Sequence, residues 1–248
     1  MGILQKIVAN TKANLAHKKV ELPLEKIQSS LENLKLPRGK FKDHISSKDE
    51  AIIAEIKKAS PSAGVIKEDF DPTKIAMEYE SFGASALSIL TEEDFFMGSV
   101  EYLKEVKKIT SLPILRKDFM IDEYQIYESK LIGADCILLI ASILNDQEID
   151  DFINIAKKLE LDYLIEVHDE NELKRVEHFE DALIGVNNRN LETFEVDLNN
   201  SVRLRNTFKQ KNIFIAESGI KSREDMNYLK MNNIKVFLIG ESLMRGSF

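Results

Sequence analysis

A chain of 248 residues, 44% hydrophobic and 31% charged, suits a globular protein with a sizeable core, built as one large domain or two small ones. A formal net charge of -8 argues against non-specific binding to nucleic acid, and no apolar run approaches the roughly 20 residues of a membrane span. The single Cys136 cannot close an internal disulfide, which favours a reducing cytoplasm. An anionic small ligand stays compatible with this balance if basic residues gather locally.

The first residues, Met1 to Asn10, lack a long apolar segment and a small-residue cleavage site, so they read as an amphipathic helix and not as a signal peptide. Periodicity predicts helices near 2–18 and 22–34, then a polar stretch with Pro37, Gly39, Asp43 and Ser46-Ser47. Residues 1–50 read as an N-terminal extension packed on the rest of the chain, not as a separate domain, and as able to cover one mouth of a barrel formed there. From residue 51 to 248, β-rich runs alternate with segments of helical period. Strands are predicted near 51–57, 85–90, 112–117, 135–140, 162–167, 182–187, 212–217 and 234–239. Helices are predicted between them near 73–82, 99–109, 122–132, 146–160, 169–179, 199–209 and 222–231. Capping residues open helices at Asp71-Pro72, Asp122, Asn145 and Ser222, and Gly83 and Gly133 close two of them. Alternation of this kind means a parallel sheet, and a closed (β/α)8 barrel, the TIM barrel, is its natural solution at this length. An open doubly wound sheet is weakened by the absence of a Gly-x-Gly-x-x-Gly turn. The expected architecture is thus one domain over 1–248, with a helical extension at 1–50.

Charge recurs at the C-terminal ends of the apolar runs, where a buried strand has no structural need for it and a barrel active site does. Glu55 and Lys57 lie two apart on the first strand and so share a face. If Ile53 points the same way, both face the barrel mouth; a solvated pair is the plainer alternative. The loop from Ala59 to Asp71 is long for its kind, as lids are. Lys117 ends the third strand, after Ile114-Leu115-Arg116. Loss of water should pull its pKa toward neutrality and make it a general acid, unless it merely pairs with Asp118. Glu166 is a candidate base, or a buried ion-pair partner of one of the lysines. Asn187 and Arg189, in Gly185-Val-Asn-Asn-Arg-Asn-Leu191, can orient a polar substrate or belong to an ordinary polar loop. Ser218-Gly219 and Gly240-Glu241 follow the seventh and eighth strands, where barrels commonly bind phosphate on backbone N–H groups.

Other chemistries find no support. His17, His44, His168 and His178 show no metal-ligand spacing, none is read at a charged strand end, and no metal is expected. His168-Asp-Glu170 reads as a loop and helix cap. There is no Walker loop and no Gly-x-Ser-x-Gly elbow. Cys136 reads as a core residue. Phe95-Phe96 and Phe119 fall in loops after the second and third strands, where they line an apolar pocket or simply pack.

Together these stretches resemble the indole-3-glycerol-phosphate synthase family. The matching segments are Ala54 to Ser62, Ser88 to Glu92 with Phe96 to Ser99, Leu115 to Phe119, Leu164 to Glu170, Gly185 to Leu191, Ala216 to Ile220 and Leu238 to Arg245. They cover nearly the whole chain after about residue 50, and the N-terminal helices fit the family's extra segment. The resemblance implies an enzyme of tryptophan biosynthesis that needs no cofactor; a cytoplasmic monomer is expected. It would convert 1-(2-carboxyphenylamino)-1-deoxyribulose 5-phosphate by ring closure with loss of carbon dioxide and water. It implies that Lys117 acts as general acid on the ketone and that Glu166 stabilises charge or acts as base. Glu55 and Lys57 would serve substrate binding and dehydration, with Asn187 and Ser218 as polar site residues. Arg189, Gly219, Gly240, Glu241 and Ser60 would contact phosphate or substrate, and Phe96, Phe119, Leu138 and Leu191 would wall the aromatic ring. Family members usually continue past Leu243-Met244-Arg245 into a final helix, whereas this sequence stops at Phe248. Glu241 stands where some members carry a small residue, so its contact would be through the backbone N–H. A phosphorylated-aminoketose isomerase should lack the combined Lys57, Lys117 and Glu166 set, and a scaffold barrel has no use for charges at these strand ends.

Overall fold

The computed structural model describes residues 2–33 and 40–248. Pro37 and Gly39 of the polar stretch, and the end of the helix expected near 22–34, lie outside the described residues. Strand β1 (Ala51–Ile56) leads into a short antiparallel pair, β2 (Ala59–Ser60) and β3 (Gly64–Val65). Next along the chain come β4 (Ala86–Leu90), β5 (Ile114–Lys117), β6 (Cys136–Ile140), β7 (Asp162–Val167), β8 (Leu183–Asn187), β9 (Phe214–Glu217) and β10 (Val236–Ile239). All but β2 and β3 pair in parallel and close on themselves in the order β1-β10-β9-β8-β7-β6-β5-β4. The (β/α)8 barrel expected from the alternation is therefore present. Most strands begin one or two residues later than predicted. At β5 the reason is Pro113, which has no N–H for the ladder.

Among the described residues three helices precede the barrel: α1 (Ile3–Glu21), α2 (Leu24–Asn33) and α3 (Phe41–Ser46). The barrel helices are α4 (Pro72–Phe82), α5 (Val100–Ile109), α6 (Glu123–Leu131), α7 (Asp146–Lys158), α8 (Glu170–Val176), α9 (Asn199–Thr207) and α10 (Arg223–Met231), followed by a single turn, α11 (Glu241–Met244). The caps read from sequence are in place. Asp71, Asp122, Asn145 and Ser222 each accept backbone N–H groups of the first turn, and Gly83 closes α4 at φ 94.

Alternation along the strands sorts the core into two shells. Ala51 and Ile53, Ala86, Leu115, Cys136, Leu138, Leu164, Leu183, Ile215, Val236 and Leu238 fill the interior, while the intervening residues pack under the helices. Residues 41–46 correct the sequence reading: they are helical, not a polar stretch. Phe41 and Ile45, one turn apart, are fully buried against the interior set, and the Lys42 N–H donates to Asp162 at 2.8 Å. Burying two such side chains favours the fold by about 1.5–3 kcal/mol each, which overrides a polar local sequence. Helix α1 is less amphipathic than expected, burying only Ile7, Thr11 and Leu15. Polar contacts hold the rest: Asn10 and Asn14 donate to Asp94, Lys18 pairs with Glu93, and Lys19 with Asp122. Among the described residues no helix is long and apolar enough to cross a membrane.

Candidate active site

Above the apolar interior, the last inward position of several strands is charged. Glu55 of β1, Lys117 of β5, Glu166 of β7 and Glu217 of β9 continue the rows of Ile53, Leu115, Leu164 and Ile215, and face a cavity of about 650 Å³ at the C-terminal ends of the strands. Ile53 does point inward, so the face shared by Glu55 and Lys57 is the barrel interior. Lys57 lies just past the strand and pairs with Glu55; both side chains are largely buried. The solvated-pair alternative is thereby set aside.

Lys117 is held at the floor of the cavity, with Nζ 2.9 Å from Glu166 Oε2 and 2.7 Å from Glu217 Oε2. It does not pair with Asp118. That carboxylate accepts from Thr91 and from Arg116, which is fully buried on the outer face of the barrel and bridges to Glu128 as well. The expected fall in the Lys117 pKa is wrong in sign. Burial does pull it down, but attraction to Glu166, Glu217 and Glu55 outweighs burial and holds the ammonium above lysine's ordinary value. Sequence reasoning foresees the desolvation and not the surrounding carboxylates.

The residue that sequence reasoning leaves out of the site is Glu217. The acid at the end of Ile213-Phe-Ile-Ala-Glu-Ser218 is visible as a charge on an apolar run, yet the neighbouring Ser218-Gly219 carries the more familiar phosphate signal. Glu217 is 2% exposed. Burial first, and then repulsion from Glu166, push its pKa up to about 7 against the opposing pull of Lys117. Glu166 shifts the other way: burial raises its pKa, but Lys117 and His168 bring it well below the carboxylate range.

His168 corrects a second expectation, that no histidine lies at a charged strand end. It follows β7 directly, and Nε2 stands 3.3 Å from Glu166 Oε1. The cap of α8 is Asp169, not the histidine. Asn187 Nδ2 also donates to Glu166 Oε1, at 3.2 Å. Its own Oδ1 accepts the backbone N–H of Arg189.

Two glycines make room for the acids. A Cβ on Gly185 of β8 would overlap Glu217 Oε1 and come within 2.8 Å of Leu164, and one on Gly240 would overlap Glu55 and reach 3.2 Å from Lys57 Nζ. Ser218 and Gly219 adopt left-handed backbone at φ 66 and φ 81, and a Cβ on Gly219 would meet Val196. Arg189 donates to the Phe194 carbonyl at 3.1 Å and stands 3.8 Å from Glu241, which also pairs with Arg245.

Phe96 and Phe119 are tilted against each other at 5.9 Å and wall one side of the cavity with Leu138, while Leu191 and Val196 come from the loop between β8 and α9. Ser60, Ser218, Gly219, Gly240 and Glu241 line the same cavity; Phe95 does not. Ile3, Leu4 and Ile7 of α1 form part of the lining, so the extension does reach the mouth. The long loop after β1 is partly ordered by the β2–β3 pair. Among the described residues no group of three or more His, Cys, Asp or Glu side chains is set to hold a metal ion.

Comparison with known proteins gives the family. The family model of indole-3-glycerol phosphate synthase matches residues 4–247. An indole-3-glycerol phosphate synthase of Ruminiclostridium cellulolyticum is 47% identical over 98% of this chain and 94% of its own length. One of Clostridium acetobutylicum is 46% identical over 98% and 92%. Among solved structures, the N-acetylmannosamine-6-phosphate 2-epimerase of Clostridium perfringens superposes with a TM-score of 0.62 at 15% identity, covering 82% of this chain and 92% of that one, a likeness of fold alone. The match along nearly the whole chain, at close to half identity, means that this protein belongs to the indole-3-glycerol phosphate synthase family.

Proposed function

We propose that the cavity takes 1-(2-carboxyphenylamino)-1-deoxyribulose 5-phosphate and that Lys117 is the acid of ring closure, an ammonium held charged against carboxylates at the cavity floor. The observation that carries this reading is the contact of Lys117 with Glu166 and Glu217, deep in the cavity and beneath an aromatic wall.

A ketone oxygen reaching Lys117 Nζ receives a hydrogen bond from a full positive charge as its own negative charge develops, the condition in which such a donor is worth most. The substrate's arylamine donates electrons into its ring and makes the ring carbon nucleophilic. Loss of carbon dioxide from that carbon restores aromaticity. Glu166 takes the proton released along this path, and the Glu55–Lys57 pair returns one to the departing hydroxyl, so proton donors and acceptors are supplied by the chain itself. Phe96, Phe119, Leu138 and Leu191 keep water from the aromatic ring. Arg189, Ser60 and the backbone at Ser218-Gly219 and Gly240-Glu241 meet the phosphate at the rim.

The reading takes the catalyst as a monomer, and the substrate class fits a cytoplasmic one. The carboxylates here are matched by Lys57 and Lys117, which disfavours a divalent cation between them. Purified protein given this substrate should develop indole fluorescence without added metal or nucleotide, and excess EDTA should leave the rate unchanged. Loss of activity on chelation, restored by Mg²⁺, would transfer the electrophilic role from the lysines to a metal.

A further inference from the structure

Two buried carboxylates touch one ammonium at the floor of the cavity, Glu166 at 2.9 Å and Glu217 at 2.7 Å. Like charges this close do not both ionise easily, so one of the two must be the better anion. Their surroundings differ. Glu217 Oε1 has no hydrogen-bond partner among the described residues, and its neighbour on β8 is the bare Gly185. Glu166 Oε1 faces Asn187 at 3.2 Å and His168 Nε2 at 3.3 Å. The imidazole lies off the line of a hydrogen bond there, so what it offers Glu166 is charge.

The ring is fixed from behind. His168 Nδ1 stands 3.1 Å from Glu172 Oε2 on α8, and the same oxygen accepts the His168 backbone N–H at 2.8 Å. Asn200 of α9 donates to the His168 carbonyl at 3.0 Å. The charged groups facing the ring are Glu166 from β7 and Glu172 from α8, with Lys117 of β5 and Glu217 of β9 beyond Glu166. A neutral imidazole has one N–H and one lone pair. Between two carboxylates the charged imidazolium, and not the neutral ring, is the form that both neighbours attract.

We propose that His168 is a positioning residue: its imidazolium, clamped between Glu172 and Glu166, fixes Glu166 as the ionised partner of Lys117 and leaves Glu217 as the carboxyl that holds a proton. This rests on the role given to Glu166 above. Burial lowers the His168 pKa, but its contacts with Glu166 and Glu172 outweigh burial and bring it to about 10. The selection therefore persists through neutral pH. The arrangement sorts two chemically identical side chains into a base and a proton store by one charge placed behind one of them.

The test uses the intact enzyme, the variants His168→Gln and Glu172→Gln, and NMR of protein labelled at histidine and at glutamate Cδ. In the wild type the His168 ring should stay protonated above pH 8, and the Glu166 carboxyl should remain ionised at pH 5. In His168→Gln the Glu166 titration, and with it the acid limb of kcat/KM, should move up by about one pH unit. The value of kcat should fall about tenfold while KM stays within about twofold. Glu172→Gln, which leaves the Glu166 contact in place, should lower the His168 pKa and move the acid limb the same way by less. A His168 ring titrating near its ordinary value in the wild type, or a Glu166 titration unmoved in both variants, would overturn the proposal. If the wild type showed no ring closure at all, the reading of the site would fall, and the NMR titrations would still decide the role of His168.

Discussion

Lys117 shows what a charged side chain becomes when its partners are placed before it is buried. Its proton is held firmly in the resting state, so in the proposed role it would act as fixed positive charge facing the cavity, with the proton passing only when the ketone oxygen becomes basic. Lys117→Met should lower kcat by about 10² to 10⁴, the usual span for a positioned acid, with a smaller effect on KM; steady-state kinetics decides between this and near-normal turnover, which would remove the assignment. Glu217 gives a pH-dependent counterpart. Its folded pKa, pushed up to about 7, lies above that of an unfolded glutamate. The folded state therefore loses stability as pH rises from near 4.5 to 7, and the loss levels off above that. Glu217→Gln cannot ionise, so relative to wild type it should gain on the order of 3 kcal/mol between pH 4.5 and 8. Urea unfolding at the two pH values measures this. A constant difference would mean that Glu217 is ionised at both.

Among the elements, the strands and helix caps were legible because each rests on a local signal: β-branched runs, Asp-Pro and Ser at helix starts, glycine at helix ends. The charged strand ends were legible too, since period two fixes which residues share a face once one of them is known to be inside. What could not be read was contact between strands. The Lys117–Glu217 pair spans 100 residues, and the His168–Glu166 contact depends on how the chain leaves β7. Helix α3 escaped for the opposite reason, being a six-residue helix pinned by two apolar side chains. At the mouth just past β9, Gly219 is required twice over, by its φ of 81 and by the nearness of Val196. Gly219→Val should push the loop after β8 away from Ser218 and raise KM about tenfold or more, equivalent to about 1.4 kcal/mol of binding, with a smaller change in kcat. Titration with inorganic phosphate should show the same weakening. Unchanged phosphate affinity would place the anion elsewhere on the rim.

At the scale of the molecule the barrel has two unlike ends. Phe41 and Ile45 of α3 stop the N-terminal end, whereas Ile3, Leu4 and Ile7 of α1 only border the open one. Because α1 is held largely by polar contacts at Asp94, Glu93 and Asp122, several of them exposed, its attachment is weaker than that of a core helix. Deleting residues 2–21 should therefore leave the barrel folded, with a cooperative melt, while KM rises about tenfold through the lost cavity wall. Calorimetry and steady-state kinetics on the same preparation check both halves. A truncated chain that no longer folds would show that α1 is part of the barrel's stability.

The paired glycines and acids bear on how such a catalyst can change. Gly185 is vacant because Glu217 occupies its side-chain space, and Gly240 because Glu55 does. Each acid on one strand is thus the cast of an absence on the neighbouring strand β8 or just past the end of β10. A mutation that fills the glycine alone meets the carboxylate, and one that shortens the acid alone opens a void beneath the substrate. New chemistry at either place is accessible chiefly through concerted exchange, the acid shrinking as the glycine grows. The two members of each pair should therefore drift together through the descent of the barrel, although nothing in the linear spacing of the chain ties them to one another.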